Sequence, residues 1–383
     1  MDGNLTGVVG DSWVLKTNPI PVAWHSIRGV DNKAIPELVS SLINDVKGLD
    51  SKAITTDSSY FYGKLIARAA RLALIAEEIC LLHVIPEVVE FLKDSIEPWL
   101  DGNFGGNGFF FDPKWGGIVT KKCLVDSKAD FGFGVYSSHH YHLGYFLYAI
   151  AVLARFDSTW GEKYRPQAYS LMADFMNYDT KVNPHYPRLR NFDLWKLHSW
   201  AGGLTGFADG RNQQSTSEAV NAYYSAALLG LSYGDTELVA TRSGRQYEHE
   251  FSKQNRVVGV LWSNKRDSGL WFAPPDWREC RVGIQVLPLL PITEILFSDL
   301  IFARELVKWV SPALATEKWK GFAYALEGLY NKESALQKIR SLKKFDDGNS
   351  RTNLLWWIHS RKGRMVLGCG GGGECCLVQH YSH

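Results

Sequence analysis

Cysteine is sparse. The 383 residues hold six, Cys80, Cys123, Cys280, Cys369, Cys375 and Cys376. Three stand singly and three crowd the Gly-rich C-terminus, with no Cys-x-x-Cys pair and no regular spacing. That pattern indicates neither a zinc site nor a disulfide-stapled domain. Excess charge of either sign is also missing. The 42 Lys and Arg against 40 Asp and Glu leave a net charge of +2, so neither nucleic acid nor an anionic membrane is expected as a partner. No apolar run is long enough to span a bilayer. The segment Met1-Asp-Gly-Asn-Leu5 has neither a basic n-region nor an apolar h-region, so no secretory signal is visible and the compartment stays open. The Gly-rich pieces at 102–108 and 370–373 carry no Gly-Lys-Ser/Thr, which leaves a phosphate-cradling loop unsupported.

Apolar side chains are plentiful, at 45% of the sequence against 21% charged, the balance of a globular chain. Aromatics reach 13%, with 14 Trp. Aromatic faces stack on the apolar faces of sugars, so a carbohydrate groove fits this figure, and a large aromatic core fits it equally well. Residues Gly7 to Gly29 alternate apolar and polar around Val8, Val9, Trp13, Val14, Ile20 and Val22, which predicts short strands. Helical periodicity follows over Leu65 to Ile79 and, opened by Pro86, over Glu87 to Glu97. It resumes at 141–156, 165–177, 217–231, 292–314, 318–330, 332–342 and 353–360. Helices alternating with long Trp-, Gly- and Pro-rich loops argue against βαβ units and suit an α/α toroid with a groove built by loops at one end.

Three segments carry chemistry. In Ser215-Thr-Ser-Glu218 the spacing Ser-x-x-Glu ahead of an apolar run is that of a capping box, with Glu218 reaching back to the Ser215 amide. The competing reading is a carboxylate facing a groove. Positions 214 and 218 share a face if the helix is continuous through both. In Tyr136-Ser-Ser-His-His-Tyr-His-Leu-Gly-Tyr145 the pair His140 and His142, two apart, suits metal ligands on a strand. No Asp or Glu stands close in sequence, and packing or sugar hydrogen bonding is the stronger reading, so no metal is assigned. In Asn191 to Gly203, Asp193 is placed to hold His198 or a sugar hydroxyl, with an ordinary loop salt bridge as the bland account. Ser199 beside His198 invites a triad, but no Gly-x-Ser-x-Gly elbow supports it.

Together these segments resemble the active-site segments of glycoside hydrolase family 81, the endo-β-1,3-glucanases, most closely the plant branch. The family pattern there is Tyr-Asn-Asp-His-His-aromatic-His-aromatic-Gly-Tyr, Asp-x-x-x-x-His-Ser-Trp, and Asn-Gln-Glu-Ser-x-Ser-Glu. The stretches Trp262 to Trp271 and Gly283 to Pro291 look like the plant enzymes as well. The resemblance implies inverting endo-hydrolysis of β-1,3-glucan, with the polysaccharide as partner and no cofactor. It implies a mostly all-α chain. Residues 1–32 would be a short β-rich remnant of an N-terminal β domain, 33–362 an (α/α)6 toroid, and 363–383 a poorly specified tail. By the same resemblance, His142, Tyr145, Asp193, His198, Trp200, Asn212, Asp267 and Trp271 contact substrate.

The catalytic positions depart from the pattern. Ser138 stands where the family has its acid, Gln214 where it has its first Glu, and Glu218 keeps the second. An inverting glycosidase needs one carboxyl to protonate the leaving oxygen and another to activate water. Serine is too weak an acid for the first task and glutamine cannot act as a base. After Ala240 the family continues with a long helix and a Trp-rich piece, whereas here Thr241 to Glu250 runs almost directly into Asn255-Arg-Val-Val-Gly259, so the toroid is expected to be incomplete by about one helix. An impaired glucanase is therefore expected, with a catalytically inactive glucan-binding protein or a fragment unable to fold alone as alternatives.

Overall fold

A computed structural model describes residues 9–12, 21–196, 198–235 and 259–361. Eleven helices of seven residues or more run through them, in chain order. They are α1 Ile35–Lys47, α2 Ser59–Glu78, α3 Ile85–Leu100, α4 His139–Phe156, α5 Ser158–Met176, α6 Thr216–Tyr233, α7 Arg278–Ile284, α8 Leu300–Val310, α9 Glu317–Glu327, α10 Lys332–Ser341 and α11 Arg351–His359. Local chemistry sets most starts. Pro36 and Pro86 sit in the first turns of α1 and α3, where the missing N–H costs no hydrogen bond. Ser58, Asp157, Ser215, Asp299, Asn331 and Ser350 each cap a helix through the side chain. Gly234, at φ 67°, ends α6 with its amide on the Gly230 and Leu231 carbonyls.

Burial sorts the helices into two layers. Sixteen of the eighteen residues of α4 are buried, against three of ten in α10. A helix buried all round belongs to an interior, and one with a single apolar stripe belongs outside. On that criterion α2, α4, α6, α7, α9 and α11 are inner helices. Helices α1, α3, α5, α8 and α10 alternate with them outside. Helix α4 packs between α2 and α6, α9 packs on α7 and α11, and α11 returns to α1 and α2, which closes the ring. Ser215 Oγ donates to the Ile284 carbonyl at 2.6 Å and Ser217 Oγ to that of Leu287 at 2.6 Å, joining the head of α6 to the end of α7. At the tightest helix pair, a Cβ on Gly144 of α4 would lie 2.7 Å from Ala222 Cα of α6, so only glycine permits the approach.

The strands are short and lie in loops at the heads of the inner helices. Phe109–Asp112 (β1) pairs antiparallel with Gly117–Thr120 (β2), and Phe192–Asp193 (β3) with His198–Ser199 (β4). Asn212–Gln213 (β5), Val260–Trp262 (β6) and Arg266–Asp267 (β7) form a three-stranded sheet in that order.

Several expectations need correction. No strand forms among the described residues 9–12 and 21–29. The described part of that segment hydrogen-bonds to helix side chains such as Tyr224 and Arg71 instead of to another strand, and its other predicted strand residues lie outside the described chain. The helix expected over 292–314 breaks into Thr293–Leu296, α8 and a terminal 3-10 turn, because Asp299 caps a fresh start. Helix α5 begins seven residues early, at the Asp157 cap. Helices α1 and α7 were unread. His140 and His142 lie on α4, so a two-residue strand spacing does not apply. The outer position between α6 and α7, where the missing helix was expected, falls in 236–258, outside the described residues. The tail over 363–383 is outside them too.

Candidate active site

The approach to α4 is backbone in an uncommon region. Asp130, Phe131, Tyr136 and Ser138 have φ of 52°, 62°, 62° and 56°. Four non-glycine residues in the left-handed region within nine positions mark strain that surrounding contacts must hold. Asp130 supplies one anchor. Its carboxylate accepts the Ser59 amide at 2.6 Å, the Ser59 hydroxyl at 2.5 Å and the Ser58 hydroxyl, all at the head of α2. The Ser138 amide supplies another, donating to the Ala201 carbonyl at 2.7 Å, and Leu204 N donates to Val135 O at 2.7 Å. Gly203 lies so close that a Cβ there would meet Val135 O at 2.1 Å. Ser138 precedes α4 at the N-cap position with no capping bond from its hydroxyl.

The histidines of α4 have separate environments. His139 sits between the Asp174 carboxylate, 3.0 Å from Nδ1, and the Phe133 carbonyl, 2.6 Å from Nε2. His140 is fully buried with no hydrogen-bond partner on either ring nitrogen. Burial, reinforced by His139 and Arg211, holds its pKa well below the ordinary value. His142 is buried and contacts Ser59 Oγ through Nδ1 at 2.7 Å, while its Nε2 has no partner. Burial lowers its pKa to about 4 against the opposing charge of Asp130, 3.8 Å away.

Glu218 lies at the start of α6. Its amide accepts no role beyond the cap, donating to Ser215 Oγ at 3.2 Å, so half of the capping box forms. The other half is replaced. The Ser215 amide donates to Tyr141 Oη at 3.3 Å, and the Glu218 carboxylate turns inward. Its Oε1 accepts Tyr60 Oη at 2.7 Å and Tyr145 Oη at 2.9 Å. Burial raises the Glu218 pKa, opposed by the Lys64 charge and these hydrogen bonds. Lys64 is itself buried, paired with Asp346 at 2.7 Å and 5.3 Å from the Tyr60 ring centre. Gln214 precedes α6, so it shares no helical face with Glu218, contrary to expectation. Its Oε1 is buried without a partner, and its carbonyl accepts from Gln285 Nε2.

Asp193 holds Trp200, where His198 or a sugar hydroxyl was the expected partner. Trp200 Nε1 donates to Asp193 Oδ2 at 3.2 Å, and the amides of Trp195 and Lys196 donate to Oδ1 at 3.0 Å each. His198 stands opposite Asp193 in the β3–β4 pair and packs edge-on against Trp200. Ser199 Oγ accepts from Gln213 Nε2 at 2.9 Å and is tied into that network, not into a triad. Asn212 pairs across β5–β6 with Trp262, and its carbonyl accepts the Ala201 amide at 2.7 Å. Asp267 on β7 accepts the Gly269 amide at 3.0 Å, a local turn. Trp271 is half exposed and packs with Phe207 and Trp262.

The fold thus gathers Ser138, His142, Tyr145, Gln214 and Glu218 at the heads of α2, α4 and α6. Loops bearing Asp193, His198, Trp200 and Asn212 lie alongside, and Asp267 and Trp271 join through the β5–β7 sheet. His142, Tyr145 and Trp200 are buried, so they form the floor of this region and not an open wall. Tyr60, Lys64 and Asp346 were unread. Lys64 and Asp346 stand 282 positions apart, and no local pattern links them.

A model of the glycosyl hydrolase family 81 C-terminal domain matches residues 29–244 and 239–358. A glucan endo-1,3-beta-D-glucosidase of Glycine max is 62% identical over 94% of this chain and 58% of its own length. A protein of the same name from Acetivibrio thermocellus is 26% identical over 84% of this chain and 44% of its own length. The chain therefore spans about half the length of the curated relatives it matches. A mutant of a family 81 glycoside hydrolase from Clostridium thermocellum has the same fold, with a TM-score of 0.71 at 23% identity, over 87% of this chain and 48% of its own.

Proposed function

The chain belongs to glycosyl hydrolase family 81, and from that premise we propose that it binds β-1,3-glucan at the heads of α4 and α6 and hydrolyses it far more slowly than a two-carboxylate site. Relatives named glucan endo-1,3-beta-D-glucosidase support the substrate class. The observation that carries the impairment is the neutral pair Ser138 and Gln214 beside a single carboxyl, Glu218, turned toward two tyrosines. Neighbouring carboxylates are committed elsewhere: Asp130 to α2, Asp193 to Trp200 and the hairpin amides, Asp346 to Lys64.

In this reading, among the described residues, Glu218 is the group that exchanges a proton with water at the scissile bond, and none of them replaces the acid at position 138. The acid and the base contribute roughly 10²–10⁴-fold each. Reducing ends released from laminarin by the wild type are expected at or below detection. The double variant Ser138→Asp, Gln214→Glu is expected to restore measurable release with inversion. Wild-type turnover equal to that of the repaired protein would overturn the impairment.

A second reading, glucan binding without hydrolysis, is favoured by the same two neutral positions. Calorimetry with laminarihexaose separates the two. Heat of binding with no reducing ends over days supports binding alone. Loss of a cooperative unfolding transition would point instead to a chain that does not fold by itself.

A further inference from the structure

A cluster of aromatic rings faces solvent one side chain away from Glu218. Phe131 is 54% exposed and Phe61, on the first turn of α2, is 36% exposed. Their ring centres are 5.9 Å apart, edge to face. Both meet Tyr60, Phe131 at 5.5 Å and Phe61 at 5.3 Å. Tyr60 donates its hydroxyl to Glu218 Oε1 at 2.7 Å, so a single side chain separates the exposed rings from the carboxyl.

Two features indicate that the exposure has a use. A phenylalanine at φ 62° is a conformational outlier, held here by the three hydrogen bonds to the neighbouring Asp130 carboxylate. The chain thus spends anchoring interactions on keeping an apolar ring in water, where it gains nothing from burial. Next to Phe131, at 6.2 Å between ring centres, lies His142 with an unpartnered Nε2. Buried polar atoms without partners are uncommon in native structures.

We propose that Phe131, braced edge to face by Phe61, forms a stacking face for one glucosyl ring of a β-1,3-glucan chain bound near Glu218. The inference rests on the glucan reading above. The ligand class follows from shape and chemistry: β-glucosyl rings carry their axial C–H bonds on two flat apolar faces, which pack on aromatic rings. Tyr60 links the stacking face to the Glu218 carboxyl.

The test uses the full chain and laminarihexaose in calorimetry, with Phe131→Leu, Phe131→Tyr and Phe61→Leu. Leucine keeps apolar bulk and a β-carbon and removes the flat face. Tyrosine keeps the face. Phe131→Leu is expected to weaken binding at least fivefold, and Phe131→Tyr to stay within twofold of wild type, with melting temperatures unchanged. If Phe131→Leu fails to fold, Phe61→Leu, on a regular helix, carries the test with an expected loss of at least threefold. Unchanged affinity in the folded leucine variants, with wild-type binding intact, overturns the stacking face and leaves the glucan reading standing. No binding by the wild type overturns both. Self-association that disappears in Phe131→Leu, with sugar binding unaffected, would make the rings a protein contact and also overturn the stacking face.

Discussion

Ser138 shows how far one position can be read from sequence. The motif around it is legible because its neighbours are unusual in combination, and the expectation that no acid acts there comes from a serine set against the family pattern. Its left-handed backbone was not legible, since φ is set by the Ala201 carbonyl sixty-three positions away. Glu218 shows the converse. The sequence left a capping role and a catalytic role open, and the structure separates backbone from side chain: the Ser215 hydroxyl takes the amide while Tyr60 and Tyr145 take the carboxylate. Nothing near Glu218 in sequence announces Tyr60.

A prediction follows for Glu218 in the background carrying Ser138→Asp and Gln214→Glu. Glutamine retains an oxygen to accept both tyrosine hydroxyls, so Glu218→Gln is expected to fold normally and to abolish the restored release of reducing ends. Burial raises the Glu218 pKa, so folding is most favoured with the group protonated. Its contribution is fully present below the ordinary Glu value of 4.5 and is lost as pH rises through the folded value. Glu218→Gln is therefore expected to flatten stability against pH above 4.5, measured by urea unfolding at a series of pH values. Full activity of the repaired protein after this change would remove Glu218 from the mechanism.

Among the elements, the inner helices were the easiest to place and the hardest to bound. Helix α4 was visible as an apolar run, but its start at His139 is set by the strained segment ahead of it. Helix α7 was invisible because seven residues contain less than two full periods of an α-helix. The α4–α6 contact depends on Gly144. A methyl group there would stand 2.7 Å from Ala222 Cα, in backbone that cannot move without parting the helices. Overpacking of this kind costs about 1–3 kcal/mol. Gly144→Ala is expected to lower the thermal midpoint and to weaken laminarihexaose binding, since Tyr145 and Glu218 meet across the same interface. A midpoint equal to wild type would show that the two helices separate without cost.

For the molecule as a whole, residues 21–31 act as a strap across one end of the ring. The Ala23 carbonyl accepts from Tyr224 of α6, and Trp24 O accepts from Arg71 of α2 at 3.1 Å. His25 meets Glu77 at 2.8 Å, and Arg28 pairs with Glu294, which also pairs with Arg361. Burial alone would raise the Glu77 pKa, but the hydrogen bonds and charges of His25 and Arg155 outweigh it and lower the value to about 2. The stability this provides is present above the ordinary value of 4.5 and lost as pH falls through about 2. Glu77→Gln is expected to cost on the order of 3 kcal/mol at neutral pH and to remove most of that acid dependence, read by denaturant titration. An unchanged acid limb would show that the strap holds without this charge. Alternation is the local signal this segment carries, and it predicts strands, whereas the helix side chains that bind it, among them Arg71 and Tyr224, lie far along the chain.

The closed ring has a temporal consequence. Helix α11 seals it by packing on α1 and α2, so about three hundred residues separate the partners of the last contact. During synthesis at roughly 5–20 residues per second, α2 and α1 wait about 15 to 60 seconds before that partner exists. Until then the apolar side chains they later share with α11 have no permanent cover. Contacts so distant in sequence are slow to form even in a complete chain, because the loop must close before any of them stabilises it. The interval before sealing, more than the finished molecule, is when this protein is most open to chaperones, proteases and its own neighbours on the polysome.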